Sequence, residues 1–107
     1  MARALITLPP EPPRAGEAFE VRCLIAHAME TGFRRGDEGA LLARNILRRF
    51  ECRLDGELLF AADLHPAVSA NPYLAFWLQI QRGGELSFEW RGDQGFQHRE
   101  TRRLQLR

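Results

Sequence analysis

The sequence predicts an all-β, immunoglobulin-like antiparallel β-sandwich of about seven strands. Three observations carry this expectation. Short runs alternate apolar and polar residues at period two. Turn residues separate those runs at regular intervals. The helical signal is confined to residues 40–44, which are expected to add one turn.

Residues 2–8 form the first short strand. Pro9-Pro10-Glu11-Pro12-Pro13 follows, an extended connection at a sheet edge, because four of these residues lack a backbone donor. Phe19, Val21, Cys23 and Ile25 then alternate with Glu20, Arg22 and Leu24, the pattern of a half-buried strand. Residues 28–45 are the longest irregular stretch, with three glycines and the charged run Arg34-Arg35-Gly36-Asp37-Glu38. Ile46, Phe50, Cys52 and Leu54 share a face of the third strand, and Arg48 breaks that pattern. Asp55-Gly56 supplies the positive φ of a tight hairpin. Leu58, Phe60, Ala62 and Leu64 are expected on one face of the returning strand. His65-Pro66 starts a loop, residues 73–81 form the fifth strand, and Gly83-Gly84 turns. Leu86, Phe88 and Trp90 face inward against Glu85, Ser87 and Glu89. Gly92-Asp93-Gln94-Gly95 turns again, and Phe96, His98, Glu100, Arg102, Leu104 and Leu106 line one side of the last strand. The core expected from these faces holds Phe19, Val21, Ile25, Phe50, Leu78, Phe88 and Trp90.

The 107 residues favour one domain over residues 1–107, large enough to bury a core without metals or staples. A net charge of +1 is too balanced for a nucleic-acid footprint. No apolar run reaches membrane-spanning length. Residues 1–8 run into prolines with no cleavage region, so no signal peptide is expected. Every basic residue is arginine. Guanidinium suits oxyanion binding, but the pairs Arg34-Arg35, Arg48-Arg49 and Arg102-Arg103 lie in separate segments, which favours compositional bias.

Catalytic residues are sparse. His27 and Met29 would make a soft pair for copper, yet two ligands do not make a site. A side-chain hydrogen bond that holds the loop is the simpler role for His27. His65 ends a strand, and His98 is expected as a cross-strand partner. Cys23 and Cys52 lie on the apolar phase of their strands. Two buried thiols, a cross-sheet disulfide and a reactive sulfur-carrying cysteine remain open, in that order. Arg35-Gly36-Asp37 and Arg91-Gly92-Asp93 read as ordinary turns rather than adhesion tripeptides. In the fifth strand, Leu74, Phe76, Leu78 and Ile80 occupy one face. Tyr73, Ala75 and Trp77 occupy the other, with aromatics on a side that should be wet. That pattern fits a protein interface, or a covering loop.

Two segments carry a family resemblance: His27-Ala28-Met29-Glu30-Thr31-Gly32 and Asn71-Pro72-Tyr73-Leu74-Ala75-Phe76. They resemble motifs of the SoxZ family, whose usual forms are His-Pro-Met-Glu-Thr-Gly and Asn-Pro-Tyr-Leu-Ala-Phe. The late segment matches throughout, and the early one departs at Ala28. The resemblance implies an immunoglobulin-like fold and a non-enzymatic subunit of a SoxYZ carrier in thiosulfate and sulfur oxidation. It implies a SoxY-like partner that holds the sulfur substrate on a cysteine, transient contacts with sulfur-oxidation enzymes, and no cofactor. It also implies export to the periplasm with a signal-bearing SoxY. Met29, Glu30, Thr31, Tyr73 and Trp77 are the expected partner-binding residues. The alternative is a small redox or metal-binding protein using its cysteines, His27 and Met29.

Overall fold

Seven antiparallel strands form two sheets in the computed structural model, which describes residues 3–27, 29–33, 35–36, 39–65 and 70–107. Ala2, Ala28, Arg34, Asp37, Glu38 and Pro66, on which parts of the sequence reading fall, lie outside the described residues. The strands are β1 (Ala4–Thr7), β2 (Phe19–Ile25), β3 (Leu47–Leu54), β4 (Glu57–Asp63), β5 (Tyr73–Leu78), β6 (Gly84–Gly92) and β7 (Gln97–Leu104). One sheet runs β1-β2-β5 and the other β4-β3-β6-β7.

The placement of β4 follows from its turn. Asp55 and Gly56 have φ of 47° and 88°, the doubly positive geometry of a two-residue hairpin. A turn that tight leaves β4 nowhere to go but beside β3, so it joins the four-stranded sheet rather than the sheet of β1 and β2.

The inner faces meet in one apolar core, and all seven core residues expected from the sequence are buried. Aromatic rings tie the layers together. Phe76 of β5 lies 4.3 Å from Phe60 and 5.7 Å from Phe50, and Phe50 lies 5.1 Å from Trp90. The edge strand β7 carries polar residues on its half-buried side: His98 Nε2 sits 2.6 Å from Glu100, which also accepts from Arg102 at 3.2 Å. His98 is opposite Trp90 across the β6–β7 ladder, as expected of a cross-strand partner.

Three expectations are corrected. Residues 40–44 contain no helical turn; Leu41 bridges Arg35, and Gly36 donates to Ala40. A register shift opposite Cys52 and Arg53 inserts Leu59, so Leu58 is exposed while Leu59 packs against the core. The fifth strand ends at Leu78, and Gln79 instead donates its side chain to Gly16. A second shift, between Leu47 and Arg49, explains why Arg48 interrupts the third strand.

Candidate functional site

The two segments that carry the family resemblance close on each other. β2 ends at Ile25 and β5 begins at Tyr73, and these ends lie together because the strands are antiparallel neighbours. There the His27 amide donates to Asn71 Oδ1 at 2.8 Å, and the Asn71 amide donates to the His27 carbonyl at 2.6 Å. Asn71 adopts φ of 52°, a left-handed conformation that asparagine tolerates better than most residues.

The clasp extends inward through the side chain of His27. Its Nδ1 accepts from the Met29 amide at 3.1 Å, the loop-holding bond expected of this residue. Accepting at Nδ1 puts the proton of the neutral ring on Nε2. That nitrogen is buried and, like the buried Oδ1 of Asn45, makes no hydrogen bond of good geometry among the described residues. The ring stands edge-on to Phe96 at 4.9 Å. Burial lowers the His27 pKa from its ordinary value, partly offset by the Asn45 side chain and the charge of Asp93.

Met29 is also buried, with φ of 55°. Its Sδ receives the Leu47 amide at 3.2 Å. Glu30 and Asn45 then exchange backbone hydrogen bonds of 2.8 and 2.7 Å, closing the far side of the loop. Asp93 secures this region from the β6–β7 turn. Arg44 grips it through Nε at 2.7 Å and Nη2 at 3.0 Å, and the Ile46 amide donates to it at 3.3 Å. Burial opposes the Asp93 charge, but Arg44, the Ile46 amide and Arg48 together hold its pKa below the usual value.

The predicted site residues therefore separate into two kinds. Met29 is an internal strut, and Glu30 and Thr31 are half-buried beside it. Tyr73 and Trp77 point outward from β5, 57% and 65% exposed, as alternation required. Asn45, Asp93, Arg44 and Phe96 were missed as parts of the clasp. Their contacts span separations of 49 residues for Arg44 and Asp93, and no local motif marks such pairs.

Cys23 and Cys52 are free, buried thiols on opposing sheets. Burial pushes both up to about 12, with the neighbouring Cys52 adding to the effect at Cys23. Such thiols are poor nucleophiles, which sets the sulfur-carrying reading aside. Among the described residues, no three His, Cys, Asp or Glu side chains gather as a metal site would need. No described helix is long and apolar enough to cross a membrane.

Comparison with known proteins agrees with this architecture. The superoxide reductase (neelaredoxin) from Ignicoccus hospitalis superposes with a TM-score of 0.73 at 18% identity, over 97% of this chain and 80% of that one. A variant of the same protein gives 0.70 at 17% identity, over 95% and 79%. A Thermotoga maritima protein provisionally assigned as a superoxide reductase gives 0.64 at 12% identity, over 97% and 85%. At these identities the likeness is one of fold. No curated protein is measurably similar in sequence. The model of the family described as sulphur oxidation protein SoxZ matches residues 6–103, nearly the whole sandwich, and the chain belongs to that family of sulfur-oxidation proteins.

Proposed function

We propose that this chain is the non-catalytic subunit of a SoxYZ-type carrier. It binds and stabilises a SoxY-like partner, which holds the sulfur substrate on a cysteine for the oxidising enzymes. The complex works in the periplasm, exported through the partner. The supporting observation is the contrast between the two outer faces.

The outer face of the four-stranded sheet is laced with ion pairs. Glu51 joins Arg49 and Arg53, both at 2.9 Å, Arg49 joins Asp63 at 2.8 Å, and Arg91 joins Glu89 at 2.7 Å. Charges satisfied among themselves in water favour solvation over burial by another protein. The three-stranded sheet has one such pair among its described residues, Arg22 with Glu20 at 2.8 Å. Beside it an apolar row crosses the sheet in register: Leu5, Leu24 and Tyr73. Leu5 is 67% exposed, and a cavity of about 310 Å³ opens beside it, lined by Arg3, Ala4, Leu24, Ala26 and Asn71. Exposed aromatics next to an apolar recess are the usual anchors of an interface. Trp77 extends this surface along β5, and the loop of Glu30 and Thr31 borders the end where Tyr73 lies. Met29 contributes by shaping that loop from within.

The test is Trp77→Ala, checked for intact folding and then titrated against a SoxY-like subunit. Truncating an aromatic anchor costs about 2–4 kcal/mol, roughly thirty- to a thousand-fold in affinity. Arg53→Ala, on the opposite face, leaves affinity unchanged. Unaltered binding by Trp77→Ala places the interface elsewhere.

The fold likeness to superoxide reductases favours a second reading, a small redox or metal-binding protein. Against it, the candidate ligand atoms are either occupied or enclosed, His27 Nε2 among the enclosed ones. His27 Nδ1 takes the Met29 amide, Met29 Sδ takes the Leu47 amide, and both thiols are buried. One tightly held copper or zinc per purified chain, lost on His27→Ala, would reverse this preference.

A further inference from the structure

We propose that the free edge of β5 is a strand-pairing surface, occupied in the isolated protein by the same edge of a second copy. The pairing is antiparallel, with its two-fold axis at Ala75. This goes beyond the binding of a SoxY-like subunit, and no partner enters its test.

The backbone of β5 supplies the first argument. Ala26 donates to the Arg3 carbonyl at 2.8 Å, and Ile25 donates to the Pro72 carbonyl at 3.3 Å. Even-numbered residues of β2 therefore bond toward β1, and odd-numbered residues toward β5. With Cys23 opposite Leu74 and Val21 opposite Phe76, the even-numbered residues of β5 complete the ladder to β2. Tyr73, Ala75 and Trp77 turn their N–H and C=O groups the other way. These groups lie on the edge that no described strand pairs with, and Ala75 is exposed. An edge of this kind is a template for another strand.

The other three edges supply the second argument, because each is blunted. β1 has four residues and runs into Pro9 and Pro10. β4 carries the irregularity at Leu59 and ends in Glu57 and Asp63. β7 alternates Arg99, Glu100, Arg102 and Arg103 along its length. Short length, proline, bulges and charge are the devices that keep edges from pairing. β5 reads Tyr-Leu-Ala-Phe-Trp-Leu and has none of them.

Self-complementarity identifies the occupant. An antiparallel copy centred on Ala75 sets Tyr73 opposite Trp77 of the second copy, and Trp77 opposite its Tyr73. All three pairs, counting Ala75 with itself, are of the hydrogen-bonded type, so six outward-facing groups on each copy are satisfied at once. The aromatic side chains pair across strands on the exposed face, alanine sits on the two-fold axis where its small side chain meets its own copy, and β5 itself carries no charge to oppose the contact. The product is one six-stranded sheet across two sandwiches.

Sedimentation velocity on the full chain, from about 10 µM to about 1 mM, covers the range expected of so small an interface. A monomer–dimer equilibrium is expected. Exchange of the Tyr73, Ala75 and Trp77 amides should slow as concentration rises, while other edge amides do not change. Ala75→Pro removes an N–H that is outside the β2 ladder, so it should spare the fold and weaken the dimer at least tenfold. Ala75→Lys places two like charges on the axis and should do the same. If the proline variant misfolds, the lysine variant and the wild-type amides decide. A protein that stays monomeric throughout, a dimer unchanged in the lysine variant, or amides that exchange independently of concentration would overturn the proposal.

Discussion

His27 and Asn71, 44 residues apart, hold each other by reciprocal hydrogen bonds. The Asn71 side chain takes the His27 amide, and its own amide returns to the His27 carbonyl. This clasp joins the exit of β2 to the entry of β5. It thereby fixes both the loop of Met29, Glu30 and Thr31 and the strand that carries Tyr73 and Trp77.

Asn71→Ala should destabilise the protein by about 1–3 kcal/mol, since it strands the His27 amide. The positive φ adds further strain for alanine and little for glycine. Asn71→Asp keeps the acceptor and should lose much less. Urea midpoints of the three variants give the order aspartate, glycine, alanine. A neutral Asn71→Ala would show that the clasp contributes nothing.

Acid should loosen this end of the sandwich before the rest. The folded-state pKa of His27 lies below its ordinary 6.5, so the unfolded chain binds the proton more readily. The contribution of the neutral ring is complete above pH ~6.5 and declines as pH falls toward the folded value. Protonated Nδ1 would also confront the Met29 amide with a second donor. Unfolding free energies of wild type and His27→Gln at pH 5 and pH 8 test this. The wild type should lose stability between them, and the variant should lose less. Parallel losses in the two proteins would assign the acid sensitivity to other groups.

The thiols should be silent in the folded state. With both held near a pKa of 12 by burial, an aromatic disulfide reagent at pH 8 should label neither until denaturant is added, and then both. Rapid labelling of the native protein would revive a reactive cysteine. No free thiol after denaturation would establish a disulfide.

Gly92 is sterically constrained. A Cβ there would lie 2.5 Å from the Ile46 carbonyl oxygen and 3.1 Å from Leu47 Cα. These are backbone atoms at the join of the irregular segment and β3, beside the Asp93 hub. Gly92→Ala should cost about 1–3 kcal/mol by overpacking. Gly39→Ala, where nothing lies within 4 Å, pays only for its φ of 82°. Thermal melts of the two variants compare these costs, and equal shifts would mean that the close approach is relieved by local movement.

Period-two alternation by itself determined the strands, their buried faces and the outward direction of Tyr73 and Trp77, because side-chain direction along a strand is local geometry. Asp55-Gly56 determined the hairpin of β3 and β4 for the same reason. Alternation failed at Leu58, since a bulge shifts the phase without leaving a mark in composition. It could not show that His27 reaches Asn71, that Arg44 grips Asp93, or that Met29 is an internal strut. Those contacts exist because two sheets stack and their ends converge, which is decided by the packing of distant residues. The unpaired edge of β5 likewise follows from strand order, a property of the assembled sheets that no single segment encodes.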